Sequence, residues 1–589
     1  MICKITGVFF RHKENERFIM TAEGKILVDK QDLLASLLAE QQELTVVSDF
    51  AQKHEKHEIP LQQKYYESLI PLSKPGEGQQ YAFRVDLDRC TGCKACVTAC
   101  HNLNGLDDNE TWRSVGLLRG GNREEAKQQH VTTACHHCLD PACSNGCPVN
   151  AYDKDPVTGI VRHLDDQCIG CQYCILKCPY EVPQYNKRLG IVRKCDMCTH
   201  RLSAGEAPAC VQSCPTRAIS IQIIDKDRAL EDAQDNSLVP GAPSSEHTQP
   251  TTTFVSKRPL MKNMLGSDYY SLHPQHSHPP LVGMLVLTQL SVGAFCVDTL
   301  INFVSKAEIV TGMQPFHSIV ALCLGLLALN VSVLHLGRPK YAFRAFLGLK
   351  KSWLSREIFG FSLFAGFAST YAALFWLPQI ENLTGITLPQ FLHSTGLKEG
   401  LSVAVALSGI LGIICSIMIY DDCKKELWKG SITGLKFFGT AVCLGLATIM
   451  VSSLGVAYFL KPEYTTGVLN TYTQKLSLIM AVAFTGKILW EATIFRHLKD
   501  PTYSVYKRSA LIMKNHLLTA TRLRYMFGVA GGIVLPMMIY LTSSMKGTEV
   551  NLNFLMLLSL ISFVFALAGE LLERFLFFSA VVSKKMPGA

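Results

Sequence analysis

Sixteen of the chain's 22 cysteines fall between residues 90 and 214, in four groups of recurring spacing. They are Cys90, Cys93, Cys96 and Cys100; Cys135, Cys138, Cys143 and Cys147; Cys168, Cys171, Cys174 and Cys178; and Cys195, Cys198, Cys210 and Cys214. Three closely spaced thiolates can wrap one face of an iron-sulfur cubane. The fourth, followed by proline in three of the groups (Pro148, Pro179, Pro215), leaves in another direction and ligates a different cluster. Four thiolates per cluster turn these cysteines into four 4Fe-4S centres with none left over. Paired CxxC units also build structural zinc sites. The C-x2-C-x2-C-x3-C run, however, packs its thiolates too tightly for separate tetrahedral knuckles.

The second half of the chain obeys a different rule. Apolar runs of membrane-spanning length cover 281–304, 316–336, 358–377, 401–420, 437–459, 476–495, 525–542 and 554–578. About 20 apolar residues cross a bilayer, so an all-α bundle of eight transmembrane helices is expected over 281–582. A Pro- and His-containing stretch at 225–280 reads as a linker, with His273, His276 and His278 as solvated spacers. Residues 1–80 read as an appendage, a docking or packing extension with a polar helix near 32–41 and a charged segment holding His54 and His57. The N-terminus shows no apolar signal core and no twin arginine, so export of the first domain is not expected. The net charge of +9 resides largely in short loops between apolar runs, a membrane-topology pattern rather than a nucleic-acid footprint, and no nucleic-acid partner is expected.

The cysteine-rich segment 81–224 resembles the four-cluster iron-sulfur subunits of molybdopterin oxidoreductases. The stretches CIGCQYCILKCPYEVPQYN and KCDMCTHRLSAGEAPACVQSCP are most similar to the dimethyl sulfoxide reductase type. The resemblance implies an α+β double bacterial-ferredoxin-like domain with crossed ligation. Its ligand sets would be Cys90, Cys93, Cys96 with Cys214; Cys195, Cys198, Cys210 with Cys100; Cys135, Cys138, Cys143 with Cys178; and Cys168, Cys171, Cys174 with Cys147. Relatives that replace a third-group cysteine hold a three-iron cluster there, but Cys171 is present, so four-iron clusters are expected throughout.

Ionisable residues inside membrane spans are costly and mark function by default. Here they are Asp298, His335, Glu357, Lys487, Glu491, Glu570, Glu573 and Arg574. Lys487 with Glu491, and Glu570 with Arg574, stand four apart and could pair along one helix face, a structural reading of equal weight with a functional one. His335, in VLHLGRP, and Glu357, in SREIFG, bracket one short loop and can converge at one depth. This half resembles the dimethyl sulfoxide reductase anchor subunit, whose corresponding His and acidic residue are associated with menaquinol. The expected function is electron transfer from menaquinol or ubiquinol to a separate molybdopterin catalytic subunit, with no substrate chemistry in this chain. The alternatives are reverse flow from a dehydrogenase or hydrogenase to quinone, and a zinc-rich scaffold. The loops after spans two, four and six carry 17 Lys and Arg against five in the others. That asymmetry predicts a multi-pass protein of the bacterial inner membrane with its iron-sulfur domain in the cytoplasm. The resemblance leaves the periplasmic face as the alternative.

Overall fold

The computed structural model describes residues 66–589, apart from 123–124, 235, 306, 386–388, 545–550 and 589, together with short stretches of residues 4–38. Those stretches include an antiparallel sheet of Lys4–Ile5, Val8–Lys13, Glu16–Met20 and Ile26–Leu27. Most of the expected 32–41 helix, with His54 and His57, lies outside the described residues.

The described residues of the iron-sulfur half form two three-stranded sheets and two two-stranded ones. Strand Gln79–Asp86 buries Ala82, Phe83 and Val85 and pairs antiparallel with Ile219–Asp225, so the start and end of the cysteine segment close on each other. A hairpin of Ser114–Gly121 and Ala126–Thr133 forms the second sheet. Short helices carry the third cysteine of two groups, Ala95–Leu103 holding Cys96 and Cys100 and Tyr173–Lys177 holding Cys174. Lys94 and Gln172, each directly after a group's second cysteine, take left-handed backbone (φ 63° and 60°) and turn the chain sharply there. The region expected as a linker is folded onto these sheets. Thr253–Val255 adds a parallel strand beside Gln79–Asp86, Leu265–Gly266 adds an antiparallel one beside Ser114–Gly121, and Val239 and Met264 are buried. Its Pro-rich composition lowers helix and sheet propensity, yet free strand edges and apolar side chains still fix it to the domain.

Among the described residues eight helices long and apolar enough to cross a membrane follow, at Pro279–Val304, Glu308–Val333, Trp353–Gln379, Thr395–Asp421, Gly430–Phe459, Pro462–Lys499, Leu518–Ser544 and Leu552–Ser579. Each coincides with one expected run. The first and fifth pack at the centre, and Gly293 and Gly445 permit the approach. A Cβ on Gly293 would lie 1.8 Å from the Ala441 carbonyl oxygen. After the last helix the chain returns to the iron-sulfur half, where Met586 is buried and Lys585 pairs with Asp268 at 2.7 Å.

The two halves meet along the loops after spans two, four and six, the three richest in Lys and Arg. Arg338 N donates to Ile169 O at 3.0 Å, and its guanidinium donates to Asp165 O at 2.8 Å. Arg344 donates to Asp166 O at 2.8 Å, and Ser352 to Gly146 O at 2.7 Å. Lys177, buried, pairs with Asp422. Tyr269 donates to Tyr503 O at 3.1 Å beneath the Arg508 guanidinium. The glycine of HLGRP has a steric reason. A Cβ on Gly337 would lie 2.1 Å from Gly190 O, and one on Gly170, inside CIGC, 2.3 Å from the same oxygen. Three backbones touch there with no room for a side chain.

Candidate metal centres and the cavity beside them

The sixteen thiols gather in four sets that cross the sequence groups. One hollow is lined by Cys90, Cys93, Cys96 and Cys214, and another by Cys135, Cys138, Cys143 and Cys178. Cys100 interacts electrostatically with Cys198 and Cys210, and Cys195 with Cys100 and Cys198. Cys147, Cys168, Cys171 and Cys174 form the fourth set by the same measure. The sets also abut one another. Cys195 reaches Cys135 of the neighbouring set, Cys210 reaches Cys96, and Tyr152 lies against both Cys143 and Cys174. The resulting order runs from the Cys171 set through the Cys138 and Cys195 sets to the Cys90 set, where Cys93 is exposed.

The surroundings suit an iron-sulfur cluster. Burial, reinforced by neighbouring thiols, pushes Cys100 up to about 12 and Cys138 well above the ordinary thiol range, so thiolates here need a bound cation. Buried polar hydrogens point at the sets: Arg113 and Tyr152 turn to the thiols of Cys210 and Cys174, and His137 Nε2 has no partner among the described residues. Cluster sulfides and thiolates are acceptors of the missing kind. No three described His, Cys, Asp or Glu residues converge closely enough for a single metal ion. A cubane, which holds its thiolates further apart than zinc does, fits this spacing better.

Against the Cys171 set, at the edge of the membrane half, lies a cavity of about 250 Å³. His335, Glu357, Cys171 and Tyr173 all line it. The short loop of 3-10 turns at Pro339–Gly348 folds back so that both ends present their polar residue to one space. His335 Nδ1 faces the Ser332 carbonyl and must donate to it, which leaves Nε2 with its lone pair. Burial holds this imidazole below its ordinary range, against the opposing pull of that carbonyl. Glu357, 3 % exposed, accepts a hydrogen bond from Ser416. His335 and Glu357 share the cavity without bonding each other among the described hydrogen bonds. The remaining walls are mostly apolar, including Leu281, Leu329, Leu354 and Phe361, with Ser332, Ser362 and Tyr420 among them.

The other intramembrane charges pair differently from expectation. Lys487 does reach Glu491 at 3.6 Å, but its closer partner is Glu570 on the last helix. Arg524 donates to Glu491 at 2.9 Å and to Glu570 at 3.0 Å. Glu570 and Arg574 do not pair among the described residues. Arg574 instead donates to Gln289 at 2.9 Å and lies 3.9 Å from the Phe437 ring centroid, while Lys436 holds Glu573 at 2.6 Å. Residues on different helices outcompeted the i,i+4 neighbours because burial rewards each carboxylate for meeting several cations. Asp298 pairs with His317 at 2.7 Å, and His317 also bonds Ser453 at 2.9 Å. Sequence reasoning missed His317 and Arg524, although an ionisable residue within or beside an apolar run was signal enough.

Two family descriptions match the chain. The 4Fe-4S dicluster domain covers residues 126–224, and the DMSO reductase anchor subunit (DmsC) covers residues 273–580, more than half of the sequence. The chain belongs to the DMSO reductase anchor subunit family. Its iron-sulfur half is 38% identical over 179 residues to the B subunit of the anaerobic dimethyl sulfoxide reductase of Escherichia coli (strain K12), covering 29% of this chain and 86% of that protein. The corresponding Haemophilus influenzae protein is 36% identical over 181 residues, covering 29% of this chain and 87% of its own length. Hydrogenase-2 operon protein HybA of Escherichia coli O157:H7 is 34% identical over 197 residues, covering 29% of this chain and 59% of that protein. The chain therefore joins an iron-sulfur electron-transfer subunit and its membrane anchor in one polypeptide.

Proposed function

We propose that this family member oxidises menaquinol or ubiquinol from the membrane pool in the cavity between His335 and Glu357. The electrons then pass to a separate molybdopterin catalytic subunit. The observation that carries the reading is the shared wall, since one cavity of quinol-headgroup size is lined by His335, Glu357 and the cluster-set residue Cys171. Oxidation releases two protons and two electrons. His335 Nε2, kept unprotonated while Nδ1 donates to Ser332, accepts one hydroxyl proton, and Glu357 accepts the other. Ser416 and the Ser332 carbonyl orient the two acceptors, and the apolar walls hold the headgroup and exclude water. Four 4Fe-4S clusters, held by the four cysteine sets, would supply one-electron steps between the two-electron donor and the partner. Cys171 lies at the entry end of the series and the exposed Cys93 at its exit, where the catalytic subunit would dock.

The relation to HybA, and to the formate dehydrogenase-O iron-sulfur subunit of Escherichia coli (strain K12) at 35% identity over 158 residues, favours a second reading in which the same path runs toward quinone. The contact of all three Lys- and Arg-rich loops with the iron-sulfur half supports a cytoplasmic position for that half in the bacterial inner membrane. Protease digestion of right-side-out vesicles should leave it intact, and its removal would reverse the assignment. The test of the quinol reading is cluster reduction in membranes holding the full chain. A menaquinol analogue should bleach the visible cluster absorption in the wild type and not in His335→Arg, while dithionite bleaches both. Equal bleaching by quinol in the two would end the proposal.

A further inference from the structure

Two buried cations lie between neighbouring cysteine sets, and neither takes part in proton transfer or in docking the two halves. Arg113 is 2 % exposed, with its guanidinium 4.7 Å from the Phe83 ring centroid. Its Nη1 donates to Thr132 Oγ1 at 3.3 Å, and that hydroxyl stands 3.6 Å from Cys96 Sγ. It interacts with Cys210, Cys96, Cys195 and Cys100, thus spanning the first set and the one beside it. The guanidinium turns to the Cys210 thiol, and no carboxylate pairs with it among the described residues. Lys194 is 3 % exposed and donates to the carbonyls of Val161 and, at 3.0 Å, Cys195. It interacts with Cys135, Cys143 and Cys195 before Asp196, which places it at the next junction.

A guanidinium sealed from water without a counter-ion is costly. Thiolates binding an iron-sulfur centre are the anions within reach, and reduction adds one more negative charge beside the same cation. A fixed positive charge therefore favours the reduced form and raises the potential. The set of Cys100, Cys195, Cys198 and Cys210 is the one flanked by both cations. The Cys171 set, beside the proposed quinol cavity, meets neither.

We propose that Arg113 and Lys194 are potential-setting residues that raise the reduction potential of the centre held by Cys100, Cys195, Cys198 and Cys210, each with a smaller effect on the set at its other side. The proposal rests on the cysteine sets holding iron-sulfur clusters. Iron content tests that reading separately, since wild-type chain far below about sixteen iron atoms would sink the cluster assignment itself.

The experiment is an EPR-monitored redox titration of the full chain in membranes, with signals assigned by single Cys→Ser variants in each set. Arg113→Gln should lower the reduced-to-oxidised ratio of the Cys195 centre about tenfold at fixed potential, ~59 mV for a one-electron couple. The Cys90 centre should move less and the Cys171 centre not at all. Lys194→Gln should lower the Cys195 and Cys135 centres, and Arg113→Lys, which keeps the charge, should restore most of the potential. Unchanged midpoints in the glutamine variants, equal shifts at all four centres, or an equal drop in Arg113→Lys and Arg113→Gln would each overturn the proposal. If Arg113→Gln fails to assemble the Cys195 centre, Lys194→Gln decides, because an unshifted midpoint there refutes the role.

Discussion

Glu357 and Glu570 are both carboxylates buried within membrane helices, yet their surroundings assign them opposite fates. Glu570 is met by Lys487, by Arg524 and by the Thr440 hydroxyl at 2.6 Å. Glu357 has one described hydrogen-bond partner, the Ser416 hydroxyl, and an open cavity beside it. A carboxylate saturated with cations is locked as an anion and ties helices together. One that meets a hydroxyl and a cavity can exchange a proton with whatever fills that cavity. Depth in the membrane alone would have given both the same role; the partners separate them.

The largest expected effect tests the proton-exchanging side of this contrast. His335→Arg should lower quinol-linked electron transfer about 10²–10⁴-fold, the usual scale for losing a positioned acid–base group. Transfer from an artificial donor that bypasses the cavity should persist. If both rates fall together, His335 supports the interface and not the chemistry. Burial lowers the affinity of His335 for a proton, so its acceptor form should persist below the ordinary histidine value of about 6.5. The acid limb of the quinol rate should accordingly lie below pH 6.5 and vanish in the variant. A limb centred above that value would assign the titration to another group.

Next comes the locked carboxylate. Glu570→Leu leaves Lys487 and Arg524 to share Glu491 alone, two buried cations on one carboxylate, and should cost about 3–5 kcal/mol of stability, read as early thermal unfolding of the detergent-solubilised chain. Glu357→Gln, which can still accept from Ser416, should cost no more than about 1 kcal/mol. Comparable losses from the two would erase the distinction. Cys171→Ser should then change one centre alone, lowering iron from about sixteen atoms to about fifteen if a three-iron centre forms there and about twelve if the centre is lost, while the Cys90 and Cys195 sets retain theirs. Loss confined to those two sets would contradict the crossed arrangement. The smallest effect expected is that of Tyr173→Phe, which deletes one hydrogen bond to Ile419 O (3.1 Å) across the interface and should cost about 1 kcal/mol.

Legibility differed sharply between regions. The ferredoxin-like half could be read because cluster ligation constrains cysteines at near neighbours, so spacing alone carries the chemistry. All eight spans were readable because the bilayer imposes a minimum apolar length. The segment 225–280 was not, since strand pairing to distant edges leaves little trace in a Pro-rich sequence. That His335 and Glu357 line one cavity follows from the one short loop that joins them. Ser416, on the next helix, was hidden, as was the approach of Tyr173 from the cysteine segment.

By itself, then, the sequence determined the number of thiols, their grouping, the count of membrane helices and the pair of polar residues that open and close one loop. Each of these is written in local spacing or in the length of an apolar run. Tertiary structure alone decided which carboxylate meets several cations and which meets a cavity, where the buried cations Arg113 and Lys194 sit, and that the Cys171 set abuts the His335 cavity. Those relations join residues tens to hundreds of positions apart, from Arg574 with Gln289 to Gly337 with Gly170. The free energy of a buried charge depends on everything that surrounds it in space, and that neighbourhood exists only once the chain has folded.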